Sequence, residues 1–274
     1  MGLDAKVKCA CWENGLCNPP TSFASKLTYD AETGELVQIT NGLTIEEVLK
    51  FDHDFFVWCK KDACAHNDMN LAAEWISNWA GVRAFQGALR TLGEAPYAAL
   101  LQQIPDVNGG LTRPADARRC LTELDQFSRE PPFGCKVVLC AAETGETLFD
   151  RVEPYDGWLA TAGATSVSYR LTADGMFQIE HGSKGVMRYD PDAIILFKAH
   201  EFTAVRASDR TCCFTDASSG ASFVGSNLMT LASDSPKAFR VKKTADVPNN
   251  YDCAGRLRRV FAAAVESGHP VIWT

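Results

Sequence analysis

The sequence predicts an α+β fold: antiparallel β-sheets, a four- to five-helix layer inserted after the N-terminal strands, and a C-terminal helix. Three observations carry this. Residues 1–43 and 133–245 alternate apolar and polar side chains between glycine-bearing turns. Residues 44–130 repeat their apolar side chains at helical spacing, and no regular strand–helix alternation marks a parallel sheet. No Pro/Ser/Gly-rich linker divides these blocks, so residues 1–274 are expected to form a single domain, with "SREPPFG" near residue 130 as the alternative boundary.

The elements follow in order. "LDAKVKCAC" alternates as a strand, and "KLTYDAETGELVQIT" reads as strand, turn, strand, with Gly34 at the positive-φ position. The pentapeptide Ala-Glu-Thr-Gly-Glu recurs at 142–146 inside "VVLCAAETGETLF", again between strand-like residues, so both copies are read as hairpin turns rather than as partner motifs. Thr44 and Glu47 have the spacing of a capping box ahead of a helix with Ile45, Val48, Leu49, Phe55, Phe56 and Cys59 on one side. "NDMNLAAEWISNWAG" is expected to be a second helix, capped by Asn67 or Asp68, its stripe formed by Met69, Ala72, Trp75, Ile76 and Trp79. "VRAFQGALRTLG" and "APYAALLQQI" are shorter helices. "LTRPADARRCLTELDQF" is another, with Thr112 as cap and Pro114 in its first turn. Residues 133–245 read as a β meander, most clearly in the hairpin "SVSYRLTADGMFQIE". Residues 249–274 give a helix with Cys253, Leu257, Val260, Phe261, Ala264 and Val265 inward, ended by Gly268 and Pro270. "VIW" then forms an edge strand.

Composition narrows the function. A net charge of −7 argues against a nucleic-acid face or a membrane-surface binder, since both need clustered Lys and Arg. The compact basic run Arg256–Arg259 falls within a helix and reads as a solvated face. No apolar run approaches the roughly 18 residues of a transmembrane helix. The first residues lack a signal-peptide pattern, and Lys6 breaks the myristoylation pattern. Eleven irregularly spaced cysteines in a large domain do not resemble a secreted disulfide framework. A cytoplasmic protein with reduced thiols is expected.

The residues with most chemistry in them are Cys9, Cys11, Cys64 and His66. Tetrahedral Zn²⁺ takes four thiolate or imidazole ligands, and these two short pairs would supply them if the fold brings them together. The spacings C-x-C and C-x-H differ from the usual knuckle. A buried pair of small thiols on one strand face, with a polar loop histidine, explains the same residues. Asp52-His53-Asp54 point too far apart on a helix to grip one ion. His181, His200 and His269 sit in turns or at element ends with no neighbouring nucleophile motif, and no G-x-S-x-G elbow is present. "DVNGGLT" precedes a helix but lacks the Walker lysine. Trp75 and Trp79 read as core, with a stacking platform for a base or sugar as the other reading.

The chain resembles a family of uncharacterised bacterial proteins. The resemblance rests on Met1 to Cys11 ("MGLDAKVKCAC"), Cys64 to Met69 ("CAHNDM"), Asn78 to Gly81 ("NWAG"), Asn108 to Thr112 ("NGGLT") and Leu257 to Trp273. It implies a soluble cytoplasmic protein and assigns no catalytic or ligand residue. Acidity without a converging catalytic set leads to the expectation of a non-enzymatic binding protein. Such a protein would be an immunity-type inhibitor or other partner of a protein such as a basic toxin or effector, with no nucleic acid and no membrane. The alternative is a zinc-binding domain or metal-dependent enzyme using Cys9, Cys11, Cys64 and His66.

Overall fold

The structure, a computed structural model, describes residues 2–20, 22–152, 158–161, 167–172, 174–180, 194–208, 211–226 and 237–274. His181 lies outside the described residues. The chain runs β1 (Gly2–Lys8), β2 (Leu27–Asp30), β3 (Glu35–Gln38), α1 (Ile45–Lys61), β4 (Asn70–Asn78), α2 (Trp79–Leu92), α3 (Ala98–Gln103), β5 (Leu111–Thr112) and α4 (Pro114–Phe127). There follow β6 (Gly134–Ala141), β7 (Thr147–Val152), β8 (Trp158–Thr161), β9 (Val167–Thr172), β10 (Gly175–Glu180), β11 (Ile194–Ala199), β12 (Glu201–Arg206), β13 (Thr211–Asp216), β14 (Ser222–Ser226) and β15 (Lys237–Asp246). The chain closes with α5 (Asp252–Ser267) and β16 (Val271–Trp273). This is an α+β protein with antiparallel sheets.

The chain divides into two compact units: Met1–Glu130 with Pro248–Thr274, and Pro131–Val247. The division falls within "SREPPFG". Unit 1 is built on a four-stranded sheet of order β4-β1-β16-β5. Leu3, Ala5 and Val7 alternate inward on β1 and are fully or almost fully buried. Each buried Leu or Val contributes about 1.5–3 kcal/mol, and a one-residue slip would turn all three outward. α5 packs on β4 and β1, with α4 against α5 and α3 against α4. Phe85, Phe127, Tyr97 and Tyr251 form the aromatic centre of that layer, with ring centroids 5.2–6.2 Å apart. Glu123 on α4 accepts from the backbone N–H groups of Ala99 (2.9 Å) and Leu100 (2.7 Å), satisfying donors that the start of α3 leaves open.

Three expectations for unit 1 are corrected. Residues 70–78 form strand β4, not a helix, because they pair along β1 from Gly2↔Asn78 to Lys8↔Asn70. Alternation therefore replaces the helical stripe: Ile76 is buried, Trp75 is half-exposed, and Asn78 rather than Asn67 or Asp68 caps the helix that follows. Thr112 caps nothing. It is the buried end of β5, where its hydroxyl accepts from the indole N–H of Trp273 at 3.0 Å, and α4 starts at Pro114 with Arg113 as cap residue. Last, β16 is an interior strand between β1 and β5 rather than an edge. Its Val271 and Trp273 are both buried.

Unit 2 contains two antiparallel sheets, β14-β13-β12-β15-β6-β7 and β11-β10-β9-β8. Val137, Leu139, Phe202, Phe214, Phe239 and Val241 from the first share a core with Leu171, Met176 and Phe197 from the second. The predicted hairpin around Asp174-Gly175 pairs β9 with β10, Gly175 opposite Thr172. A Cβ at Gly175 would sit 2.7 Å from the Ala199 carbonyl oxygen, so the close approach of β11 needs glycine there. Cys212 is buried and Cys213 partly so, as strand alternation requires. Among the described residues, no helix is long and apolar enough to cross a membrane.

Candidate metal centre

β1 ends at Lys8, so Cys9 and Cys11 lie not on the strand but in the turn that leaves it. Cys64 and His66 lie in the turn after α1, as expected. The fold brings the four together: one ligand atom from each lies within 4.8 Å of every other. Cys9 Sγ is 3.7 Å from Cys64 Sγ, and His66 Nδ1 is 3.3 Å from Cys11 Sγ and 3.8 Å from Cys64 Sγ. Tetrahedral Zn²⁺, with Zn–S about 2.3 Å and Zn–N about 2.0–2.1 Å, sets sulfurs about 3.8 Å apart and sulfur from nitrogen about 3.6 Å. The three contacts match those edges to within about 0.3 Å.

The surrounding chain holds this arrangement. Asn18 N–H donates to the Ala63 carbonyl (2.9 Å) and its side-chain amide to the Asp62 carbonyl (2.8 Å), while Trp58 Nε1 donates to the Asn18 carbonyl (3.0 Å). The loop after Cys11 is thereby tied to the end of α1. Past His66 the backbone turns left-handed at Asp68 (φ 51°) and Met69 (φ 55°), the only non-glycine residues with positive φ among those described. Such a conformation costs roughly 1–2 kcal/mol per residue. What it achieves is registration: the Met69 carbonyl accepts from the Cys9 N–H (2.9 Å) and the Asp68 carbonyl from Lys8 Nζ (3.0 Å). Backbone strain of this kind clusters at active sites and ligand clamps.

The site is lodged in a satellite core formed by Cys9, Phe23, Phe51, Trp58, Ala63 and Met69. Phe23 packs on Phe51 at 5.4 Å and edge-on to Trp58 at 6.0 Å. Burial, with neighbouring thiols, pushes the Cys9 thiol up to about 12 and raises that of Cys11, so without a cation both are neutral. The Cys11 backbone N–H points at the Cys9 sulfur, the arrangement that favours a thiolate once a cation is present. Cys17 and Cys59 stand beside the four, their thiols pushed by burial up to about 12 and about 11. Burial lowers the Lys8 ammonium from its ordinary value. Three thiolates, one imidazole and Zn²⁺ would carry a net charge of −1, which that neighbouring cation offsets.

The other predicted residues stay apart from this centre. Cys120 and Cys253 are buried on their helical stripes. Arg256 stacks over Trp75 at 5.0 Å and donates to its carbonyl, while Arg259 grips Glu74 with two hydrogen bonds (2.6 and 3.0 Å). The basic run is thus a paired surface, and Trp75 belongs to it rather than to the core. In unit 2, Lys198, His200, Glu201, Asp216 and Ser218 line a surface hollow. Its acids already have partners: Asp216 accepts from Ser218 and Ser219, and Glu201 pairs with Arg240.

One buried group was not foreseen. His269 Nδ1 donates to the Lys8 carbonyl (3.0 Å), while its Nε2 lies 2.9 Å from both the Tyr29 hydroxyl and Glu13 Oε2. The Tyr29 hydrogen bond, with His269 assisting, holds the Glu13 carboxyl below its ordinary value. These partners are 240 and 256 positions from His269, so no local spacing signals the contact. No family model, curated protein or solved structure matches the chain.

Proposed function

We propose that this is a zinc protein in which Cys9, Cys11, Cys64 and His66 hold one structural Zn²⁺. The observation that carries the reading is the convergence of three sulfurs and one imidazole nitrogen, from segments about 55 residues apart, all within 4.8 Å of one another and with three of their contacts near tetrahedral edge lengths. A soft S₃N donor set favours zinc over the oxygen-seeking cations. Four protein ligands close the coordination sphere, so the ion acts as a staple and not as a Lewis acid with an open position. It would fasten the turn after β1 to the turn after α1 and hold the small aromatic cluster between them. A core of that size needs such help, because few side chains share its burial. A structural ion leaves the biological work to the surface, in keeping with the expected role as a non-enzymatic protein-binding module.

Cobalt substitution tests the geometry. Co²⁺ added to metal-free protein should give the intense visible bands of a tetrahedral thiolate site, saturate near one equivalent, and be bleached by about one equivalent of Zn²⁺. Only the weak bands of an octahedral ion would count against the reading.

A further inference from the structure

The outward face of α1 carries a second apolar stripe. Ile45, Leu49 and Phe56 are 82%, 64% and 52% exposed, whereas Phe51 and Trp58 are buried. The sequence expectation placed Ile45, Leu49 and Phe56 on the inward side, but at 100° per residue they fall within about 40° of one another and about 130° from the Phe51/Phe55/Trp58 face. Glu46, His53 and Lys60 run along one flank of this stripe, Glu46 and Lys60 equally far on either side of His53. The Lys60 ammonium lies 4.4 Å from the centre of the Phe56 ring, so that end of the stripe is both apolar and basic.

From this pattern we infer that α1 is a self-association surface, and that its occupant is α1 of a second copy of this chain, packed antiparallel about a two-fold axis near His53. The charge order selects both occupant and direction. Antiparallel helices crossing at His53 set Glu46 against Lys60 of the other copy, twice by symmetry. They also bring Leu49 within one residue of the position facing Phe56, and lay Ile45 along the aliphatic stem of Lys60. A parallel two-fold pair would place the two Glu46/Lys60 flanks on opposite sides of the seam and form neither ion pair. A patch complementary to itself about one point is what an isologous dimer requires, and an unrelated partner would impose no such symmetry. α1 spans about 26 Å, so a single helix pair buries less than the roughly 1,200 Å² of a standard interface. The dimer is therefore weak, dissociating in the micromolar range.

Sedimentation equilibrium of the full chain between about 5 and 500 µM, a range that brackets the expected dissociation, tests this. A concentration-dependent dimer is expected. Leu49→Glu and, separately, Phe56→Ser should each weaken it at least about tenfold, a change of about 1.4 kcal/mol. Glu46→Lys alone or Lys60→Glu alone should weaken it severalfold. The double swap Glu46→Lys/Lys60→Glu should restore it, with circular dichroism confirming that α1 remains helical in each variant. A monomer across the whole range, a dimer indifferent to both apolar substitutions, or a double swap no better than the single ones would each overturn the inference.

Discussion

Cys64→Ser is expected to lose the metal and to lower the melting temperature by roughly 6–12 °C, while Cys135→Ser changes neither. Cys64 touches both Cys9 and His66, whereas Cys135 is exposed on β6. A structural zinc site has an apparent binding energy of about 10–16 kcal/mol. Realising about 3 kcal/mol of that as folding free energy gives the stated shift for a chain of this size. Without the ion the turn keeps its left-handed Asp68 and Met69, held only by hydrogen bonds such as Cys9 N–H to the Met69 carbonyl and by weak contacts among the thiols and His66. Acid should mimic the substitution. The raised thiols of Cys9 and Cys11 hold their protons at neutral pH unless a cation displaces them, so lowering the pH favours release of the ion and raising it favours binding. Scanning calorimetry with parallel metal analysis is the check. A Cys64→Ser protein that melts within about 2 °C of the parent would mean that the cluster contributes packing alone.

Gly34→Ala is expected to destabilise unit 1 by about 2–5 kcal/mol, adding left-handed strain to overpacking. Gly145→Ala is expected to destabilise unit 2 by only about 1–2 kcal/mol. The two glycines occupy the same place in the repeated Ala-Glu-Thr-Gly-Glu turn, with φ of 74° and 72°, and both turns close with the same hydrogen bond at 2.8 Å, Gly34 N–H to Asp30 and Gly145 N–H to Ala141. Their surroundings differ. A Cβ on Gly34 would lie 2.7 Å from Cγ and Nδ1 of His269, whereas one on Gly145 would meet nothing within 4 Å. The His269 ring cannot withdraw, because Lys8, Tyr29 and Glu13 hold both of its nitrogens. Urea titration of the two variants separates conformational strain, common to both, from packing, present in one. Equal losses would show that His269 is free to move and that the hairpin is not seated on it.

Local signals were legible in the sequence, and pairings across the chain were not. The capping box at Thr44 and Glu47 forms with both reciprocal hydrogen bonds, and both Ala-Glu-Thr-Gly-Glu turns join paired strands. Of the α5 stripe, Cys253, Leu257, Val260, Phe261 and Ala264 are buried and Val265 partly so. β4 was misread because its Ala, Glu and Trp residues satisfy a helical period as well as a strand period over nine positions. Only pairing with β1 decides between them, and that pairing is long-range. The outward stripe of α1 was merged with the inward one for a related reason: the sequence shows that apolar residues recur, not which arc of the helix meets the core. At the centre, the four ligand types and their two spacings were legible. Their convergence was not, because it depends on the left-handed turn at Asp68 and Met69, a conformation no residue type there announces.

The central claim is best tested by the zinc content of protein purified without a histidine tag and without added metal. The account predicts close to one equivalent per chain, falling below about a tenth in Cys64→Ser and in His66→Ala, because structural sites bind tightly enough to survive purification. Less than about a tenth of an equivalent in the parent protein, with none taken up on adding Zn²⁺ under reducing conditions, would contradict it.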